Sequence, residues 1–520
     1  MCLKALKVGK FLRSSTVSKL VKHSPKGILL FGVVYFCIHP KDAQLVSFIR
    51  FARSLKIGMT ISIDYWIAPK IGHKESDIHQ RAANSILEGC LKNGGLYIKL
   101  GQGLAAVNHI LPKEYVNTLN LLQDKCLTRK INELEEIIVQ DFGKKPEELF
   151  QSIEKEPVAA ASLAQVYKGK AKDGEEVAIK VQYFDLRDRF EADMKTLNFL
   201  LKIISLIHPK FNLHWVLNEL YDTLAQELDF ELEAKNGERC AHDLKKFTYA
   251  NVPKIRWDLT TKRVLTAEWI DGIKITNIEE LKKNGIDIDD MHKKLITLMA
   301  EQIFHTGFVH ADPHAGNLLI RKGKDKKAQI VLLDHGLYEH LPEKSRISLC
   351  NFWESMVLRD YSAMRKFAKE LKVEDPFLLA EVLTQAPFII PAIETNTGNL
   401  TAEEYMIKQA QERFDRITEM LKTMPKSMML TIRNLNTVRS IMQGYTNPHD
   451  RYKLMARIAV RGKYSVLNQS YTNIIPVAIS KARFEFRLWL HGFAQWMFKM
   501  YFSVLHWMGY DIQRVFEFIA

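Results

Sequence analysis

Two short apolar segments, each running straight into a polar loop, constrain this chain more than any other feature. Residues 308–317 read Phe-Val-His-Ala-Asp312-Pro-His-Ala-Gly-Asn317, and residues 331–336 read Val-Leu-Leu-Asp334-His-Gly336. Runs rich in Asp, Asn and Gly also form ordinary surface turns for local backbone reasons. Here the apolar flanks point instead to short buried strands that hold the loops in place. The spacing carries the chemistry: an aspartate, an asparagine five residues later, and an aspartate two residues before a glycine. In phosphoryl transfer the first aspartate positions the acceptor hydroxyl, the asparagine holds magnesium, and the second aspartate bridges magnesium to the phosphates. Asp312, Asn317 and Asp334 fit those roles, so the pattern predicts a site for ATP (or ADP) and Mg2+.

The rest of the chain is read around these loops. Apolar positions recur at helical spacing from Ile78 through Leu96, and Pro112 with Glu114 reads as a first helical turn before residues 115–122. Residues 163–168 and 176–182 flank Asp173-Gly174, a hairpin signal. Helical periodicity returns over 190–245, two strands are expected within 252–270, and a long buried helix over 288–306 leads into the Asp312 loop. Pro, Thr, Asn and Gly around 387–401 mark a linker, after which helices continue. This order predicts an α+β, two-lobed protein-kinase-like fold. Its expected divisions are a basic targeting or membrane-proximal segment (1–74), a helical extension (75–150), an N-lobe (151–270), a C-lobe with the catalytic loops (271–400) and a helical C-terminal extension with an aromatic-rich end (401–520).

Within the β-rich unit, Val177-Ala-Ile-Lys180 is the pattern in which a strand lysine neutralises nucleotide phosphates. Lys180 needs a partner carboxylate, and the candidates Glu227, Asp229, Glu231 and Glu233 crowd one short stretch read as helical. Before the first strand, where a glycine-rich phosphate loop would sit, stand Ala159, Ala160, Ala161 and Ser162. Alanine restricts both close amide approach and positive φ, so a stiffer lid over the nucleotide is expected.

Further upstream, Tyr97-Ile-Lys99-Leu-Gly-Gln102 places Lys99 and Gln102 on one face of a helix. Lys-x-Gly-Gln, the alanine loop, Glu-x-Asp, His-Ala-Asp-Pro-His-x-Gly-Asn and Asp-x-Gly, in this order over residues 95–340, resemble the UbiB family of atypical kinases, the aarF-domain-containing kinases. Asp334-His335-Gly336, residues 111–115, residues 227–230 and the run 424–439 are similar to the kinase 1 branch. The resemblance implies a helical cover over the substrate cleft bearing Lys99 and Gln102, with Glu227 and Asp229 at that interface and Glu233 paired with Lys180. It also implies mitochondrial residence, a role in lipid or ubiquinone homeostasis and inner-membrane organisation, and a small or lipid-like substrate. Departures are Ala315 where the family has proline and His335 where kinases have phenylalanine. Ala311 replaces the arginine before the aspartate, and no Ala-Pro-Glu segment docks a peptide. A protein substrate is therefore disfavoured. The rival expectation is a pseudokinase scaffold that organises inner-membrane proteins without turnover.

Charge fits these expectations. The chain carries a formal +14, which suits nucleic acid, an anionic membrane or import into a polarised compartment. No zinc-finger spacing or RNP-type motif supports nucleic acid. Seven Lys, one Arg and no acid occupy the first 41 residues, a composition resembling a mitochondrial targeting segment. The apolar run 27–38 is short for a membrane span. Six scattered cysteines form no Cys-x-x-Cys pair, and His305, His310 and His314 lack a supporting zinc ligand. Residues 484–510 hold ten aromatics, including Trp489, Phe493 and Trp496, as an interfacial helix would.

Overall fold

The computed structural model describes residues 43–106, 112–122, 133–160, 163–184, 225–385, 423–442, 448–464 and 474–507, together with 186, 190, 193–198, 221 and 420. The expectations on the N-terminal segment before residue 43, on Ala161 and Ser162 and on the linker 387–401 lie outside the described residues. The chain divides into two units, Met1–Ile78 with Phe184–His214, and His79–Tyr183 with Trp215–Ala520.

The first unit is built on α1 (Ala43–Ile67), which runs into a 3-10 turn closed by Gly72 in the left-handed region. Arg50 on α1 forms a buried two-nitrogen ion pair with Asp193. α1 also leaves Met59, Ile63 and Trp66 exposed along one face.

The second unit holds all the loops of interest. α2 (Glu75–Asn93) and α3 (Leu96–Ala106) follow the expected periodicity but are separated by Gly94 and Gly95, both at positive φ. α4 (Lys113–Leu119), α5 (Glu133–Phe142) and the single turn α6 (Pro146–Leu149) lead into an antiparallel sheet. Its strands are β1 (Phe150–Ile153), β2 (Ala159–Ala160), β3 (Ala164–Ala171), β4 (Glu176–Gln182) and, further along the chain, Val264–Glu268, in the order β1-β3-β4-Val264–Glu268 with β2 on β3. Gly174, at φ +88, closes the expected hairpin. Alternation along β4 buries Val177, Ile179 and Val181 on one face and presents Lys180 on the other.

α7 (Phe230–Leu244) and β5 (Ala250–Asn251) precede β6, the Val264–Glu268 strand. Two strands were expected within 252–270, and only β6 forms. Ile255 makes a lone bridge to Ala267, and a 3-10 turn covers Trp257–Leu259. Arg256 explains the turn: its guanidinium reaches Asp173 and Glu175 at the hairpin tip as well as Asp258, bonds that bend the segment away from a ladder.

β7 (Ile273–Lys274), α8 (Ile278–Lys283) and α9 (Ile288–Glu301) begin the helical lobe. The helix expected over 288–306 is regular only to Glu301 and then widens into a π turn, Gln302–Thr306, stopped by Gly307 at φ +65. The Phe304 carbonyl is taken by Arg346, whose Nη1 donates to it at 2.6 Å and to the Gly462 carbonyl at 2.5 Å. A carbonyl drawn out of the ladder in this way produces such widening. β8 (Phe308–His310) pairs with a strand at Tyr338–His340, while β9 (Leu318–Lys322) and β10 (Ala328–Leu332) form a hairpin flanked by β5 and β7. After β11, the Tyr338–His340 strand, come α10 (Glu343–Val357), α11 (Tyr361–Glu370), α12 (Pro376–Thr384), α13 (Lys426–Ile441), α14 (Pro448–Gly462) and α15 (Ile474–Trp507). One apolar core runs from α9 through β8–β10 and α10–α12 to Met428 and Ile432 of α13 and Ile458 and Ala459 of α14. The second unit has the two-lobed, kinase-like α+β arrangement, with a sheet of five strands followed by the helical lobe that carries the loops at Asp312 and Asp334.

The crossing of α14 over the π turn is tight enough to test. A Cβ on Gly462 would overlap the Phe304 carbonyl oxygen and stand 2.8 Å from its carbon. Backbone cannot move aside as a flexible side chain can, so Gly462→Ala should destabilise the fold by about 1–3 kcal/mol. A urea midpoint equal to that of the wild type would refute the packing.

Candidate ATP and magnesium site

Six elements of the second unit place the site. β4 presents Lys180, whose Nζ lies 2.7 Å from Glu233 on α7 and 3.0 Å from Asp334 in the loop after β10. Burial would discharge this lysine, yet Asp334 and Glu233 hold it well above its ordinary range. Burial also acts on the two acids. It would raise Asp334, which Lys180 and then Lys99 hold well below the usual carboxylate range, and it pushes Glu233 up to about 7 against the pull of Lys180. Lys180 and Asp334 are therefore both charged, and Glu233 is the softer partner.

The Glu-rich stretch is not one helix. Asp229 is the N-cap of α7, accepting from the amides of Glu231 and Leu232, which fits its strong preference for that position. Glu227 lies before this break and pairs with Lys99 at 2.8 Å. Glu233 falls one turn into α7 and is buried, whereas Glu231 stays half-buried outside the lysine pair. The register of the cap thus decides which carboxylate meets Lys180.

α3 carries Lys99 to within 3.9 Å of Asp312, and the carboxylates of Glu227, Asp312 and Asp334 keep Lys99 charged despite its burial. Gln102 turns elsewhere: its Nε2 donates to the Leu122 carbonyl at 2.9 Å, fastening α3 to the turn after α4. Between them Gly101 lies so close to Leu122 that a Cβ would overlap the leucine side chain, giving Lys-x-Gly-Gln a packing reason for its glycine.

Asp312 precedes and Asn317 ends a short 3-10 turn, Ala315–Asn317, capped by His314 accepting from the Gly316 amide. That cap supplies the bend at which proline is absent. The Leu333 amide donates to the Asn317 carbonyl, so the two loops are joined by backbone next to Asp334. Carboxylate and amide oxygens are the hard donors that magnesium takes, so Asp334 and Asn317 are the residues that would hold it. Among the described residues no three His, Cys, Asp or Glu side chains gather to hold a metal ion. His305 bonds the Ile458 carbonyl, and His310 belongs to an aromatic stack.

That stack replaces the phenylalanine packing of ordinary kinases. His310 and His335 both stack against Tyr338, which also stacks on Phe308. The His335 Nε2 donates to the Leu332 carbonyl and its Nδ1 accepts from the Tyr338 hydroxyl, the arrangement of a neutral ring. Gly237 of α7 approaches His335 so closely that a Cβ would stand 3.2 Å from Cδ2, and Asn236 donates to the His335 carbonyl. The helix bearing Glu233 is thereby keyed to the residue beside Asp334.

Of the alanine loop, Ala159 and Ala160 form β2 against Val166 and Gln165. One contributor was absent from the sequence reading: Arg433 on α13 puts Nη2 3.0 Å from the Asp312 carboxylate. Arg433 and Lys99 outweigh burial and hold Asp312 down to about 2. α13 is docked by Leu430 against Ala311 and Leu337 and by Asn434, which donates to the His310 carbonyl at 2.6 Å. Ala311 was the available signal, because a missing arginine beside the aspartate leaves room for a group from elsewhere.

Residues 121–368 match the ABC1 atypical kinase-like domain. A probable serine/threonine-protein kinase, abkD, of Dictyostelium discoideum is 39% identical over 80% of this chain, and the match spans 61% of that longer relative. AarF domain-containing kinase 1 of Drosophila melanogaster is 33% identical over 82% of this chain and 85% of its own length. AarF domain-containing protein kinase 1 of Gallus gallus is 34% identical over 80% and 81%. With the Lys180–Glu233–Asp334 cluster and both loops in place beneath these matches, the chain belongs to the ABC1/AarF-domain family of atypical kinases.

Proposed function

We propose that the chain is an ATP- and magnesium-dependent atypical kinase or ATPase acting on a small or lipid-like substrate at the mitochondrial inner membrane, in lipid or ubiquinone homeostasis and cristae organisation. One observation carries the catalytic part: Lys180 spans Glu233 and Asp334, the ion-pair arrangement that must be in place for phosphoryl transfer. Bound magnesium would neutralise charge developing on the phosphates. Lys180 would clamp the nucleotide phosphates, Asp334 and Asn317 would hold the metal, and Asp312 would orient the acceptor hydroxyl. Ala159 and Ala160, paired with β3 in the same sheet, would form part of the lid over the nucleotide.

Two features support the membrane setting. The first 41 residues are basic and free of acids. α15 exposes Phe486, Trp489, Phe493, Trp496 and Met500 along one side, with the first four rings stacked in series. Among the described residues no helix is long and apolar enough to cross a membrane, so α15 would lie in the interface. Purified full-length chain should turn over ATP only with magnesium, and faster with anionic vesicles. Turnover indifferent to magnesium would overturn the catalytic reading.

Crowding of Asp312 by Lys99 and Arg433 favours the scaffold as the second reading, with inner-membrane proteins as partners. Restoration of a null phenotype by the Lys180→Ala, Asp312→Ala double variant, correctly localised, would select it.

A further inference from the structure

We propose that the acceptor taken at Asp312 is an anion, a hydroxyl compound bearing a phosphate or carboxylate group that Arg433 holds. The inference rests on the phosphotransferase reading and names its substrate class.

Two cations from outside the catalytic loops converge on Asp312. Lys99 comes from α3 and Arg433 from α13, at 3.9 and 3.0 Å. Both side chains are largely buried, at 18% and 19% exposure, so neither is a solvated surface charge that happens to point inward. Lys99 is already paired with Glu227 at 2.8 Å. Arg433 is different. One terminal nitrogen serves Asp312, while its Nε is buried with no hydrogen-bond partner among the described residues. Buried guanidinium donors are ordinarily satisfied. The planar fork of arginine matches the oxygens of phosphate and carboxylate better than any other side chain does. Leu430 and Asn434 fix α13 on either side of Arg433, so the fork is held beside Asp312 before any ligand arrives, which is the preorganisation that favours binding.

This arrangement assigns the steps. The anionic group of the acceptor takes the unused guanidinium donor, which brings its hydroxyl to the Asp312 carboxylate. The hydroxyl oxygen forms a bond to the terminal phosphorus of the nucleoside triphosphate, and the bond from that phosphorus to the bridging oxygen breaks. The hydroxyl proton passes to Asp312, and the nucleoside diphosphate leaves. A weakly basic carboxylate suits a loose transition state, in which the positioning of the acceptor matters more than early proton removal.

The test uses the full chain with magnesium and ATP, following phosphate transfer to four acceptors. Two are anionic: soluble glycerol 3-phosphate, and phosphatidylglycerol in phosphatidylcholine vesicles. Two are neutral controls: glycerol, and vesicles of phosphatidylcholine with diacylglycerol. Transfer to an anionic arm over its neutral control is expected, and which arm responds separates a lipid headgroup from a soluble anion. In Arg433→Ala the KM for that acceptor should rise roughly 10- to 100-fold, as expected for a lost charge-assisted hydrogen bond, with far less change in the KM for ATP and partial recovery in Arg433→Lys. Neutral acceptors used as well as anionic ones, or equal rises in both KM values in folded Arg433→Lys, would overturn the assignment. Magnesium-dependent ATP turnover with no transfer to either anionic arm would also overturn it while leaving the ATPase reading intact. No magnesium-dependent turnover at all would remove the reading on which it rests.

Discussion

Asp334→Ala should lower magnesium-dependent ATP turnover by about a hundred- to a thousandfold, the scale on which removal of a preorganised charge-stabilising group acts. The expectation follows from position rather than from motif alone. Asp334 Oδ1 accepts from the Gly336 amide while Oδ2 meets Lys180 at 3.0 Å, so the carboxylate is fixed from two sides before metal or nucleotide binds. Its removal would take away the proposed magnesium ligand and leave Lys180 with Glu233 alone. Charged Lys180 still offers contacts to phosphate, so nucleotide binding should survive better than turnover, and magnesium should no longer strengthen it. Calorimetric titration with ATP, with and without magnesium, measures this directly. Wild-type turnover in the variant would exclude Asp334 as a metal ligand.

The second large effect is on stability against acid. Burial drives His310 down to about 4 and His335 down to about 3, against an ordinary value near 6.5. The folded state keeps both rings neutral while the unfolded chain takes up protons below pH 6.5. Their contribution is therefore complete above that pH and is lost as pH falls from 6.5 toward the folded values. By pH 5 each ring should have cost about 2 kcal/mol, or roughly 4 kcal/mol together. His335→Phe, measured by urea denaturation in the presence of a chelator, should lose stability at every pH because the Leu332 carbonyl and the Tyr338 hydroxyl lose a partner. It should also lose about half of this acid sensitivity. Equal slopes between pH 7.5 and 5 in the two proteins would show that His335 is not held neutral by the fold.

What could be read from the sequence was whatever is encoded locally. The β3–β4 hairpin, the loops at Asp312 and Asp334 and the start of α9 depend on alternation, turn residues and caps within a few positions. The end of α9 was misread because the Phe304 carbonyl answers to Arg346, far along the chain, and local periodicity carries no trace of that bond. The second strand within 252–270 failed for a similar reason, since Arg256 bonds to a distant hairpin tip. Glu233 could be proposed as a partner of Lys180 from the family resemblance, but its distinction from Glu227 becomes physical only with the Asp229 cap. Ala311 left room beside Asp312 for a group from elsewhere, but nothing around Arg433 itself points to an aspartate more than a hundred residues earlier.

The bonds from Arg346 to the carbonyls of Phe304 and Gly462 bear on how the protein is made. The ribosome delivers the loops at Asp312 and Asp334 well before α13 and α14, and domains generally fold as units. Until Gly462 emerges, the nascent lobe lacks the α14 carbonyl that Arg346 bonds and the part of the core that α14 supplies. A fragment ending near residue 368 would carry Lys180, Glu233, Asp312 and Asp334, yet without α13 and α14 part of its core would stay open and make it a client for chaperones.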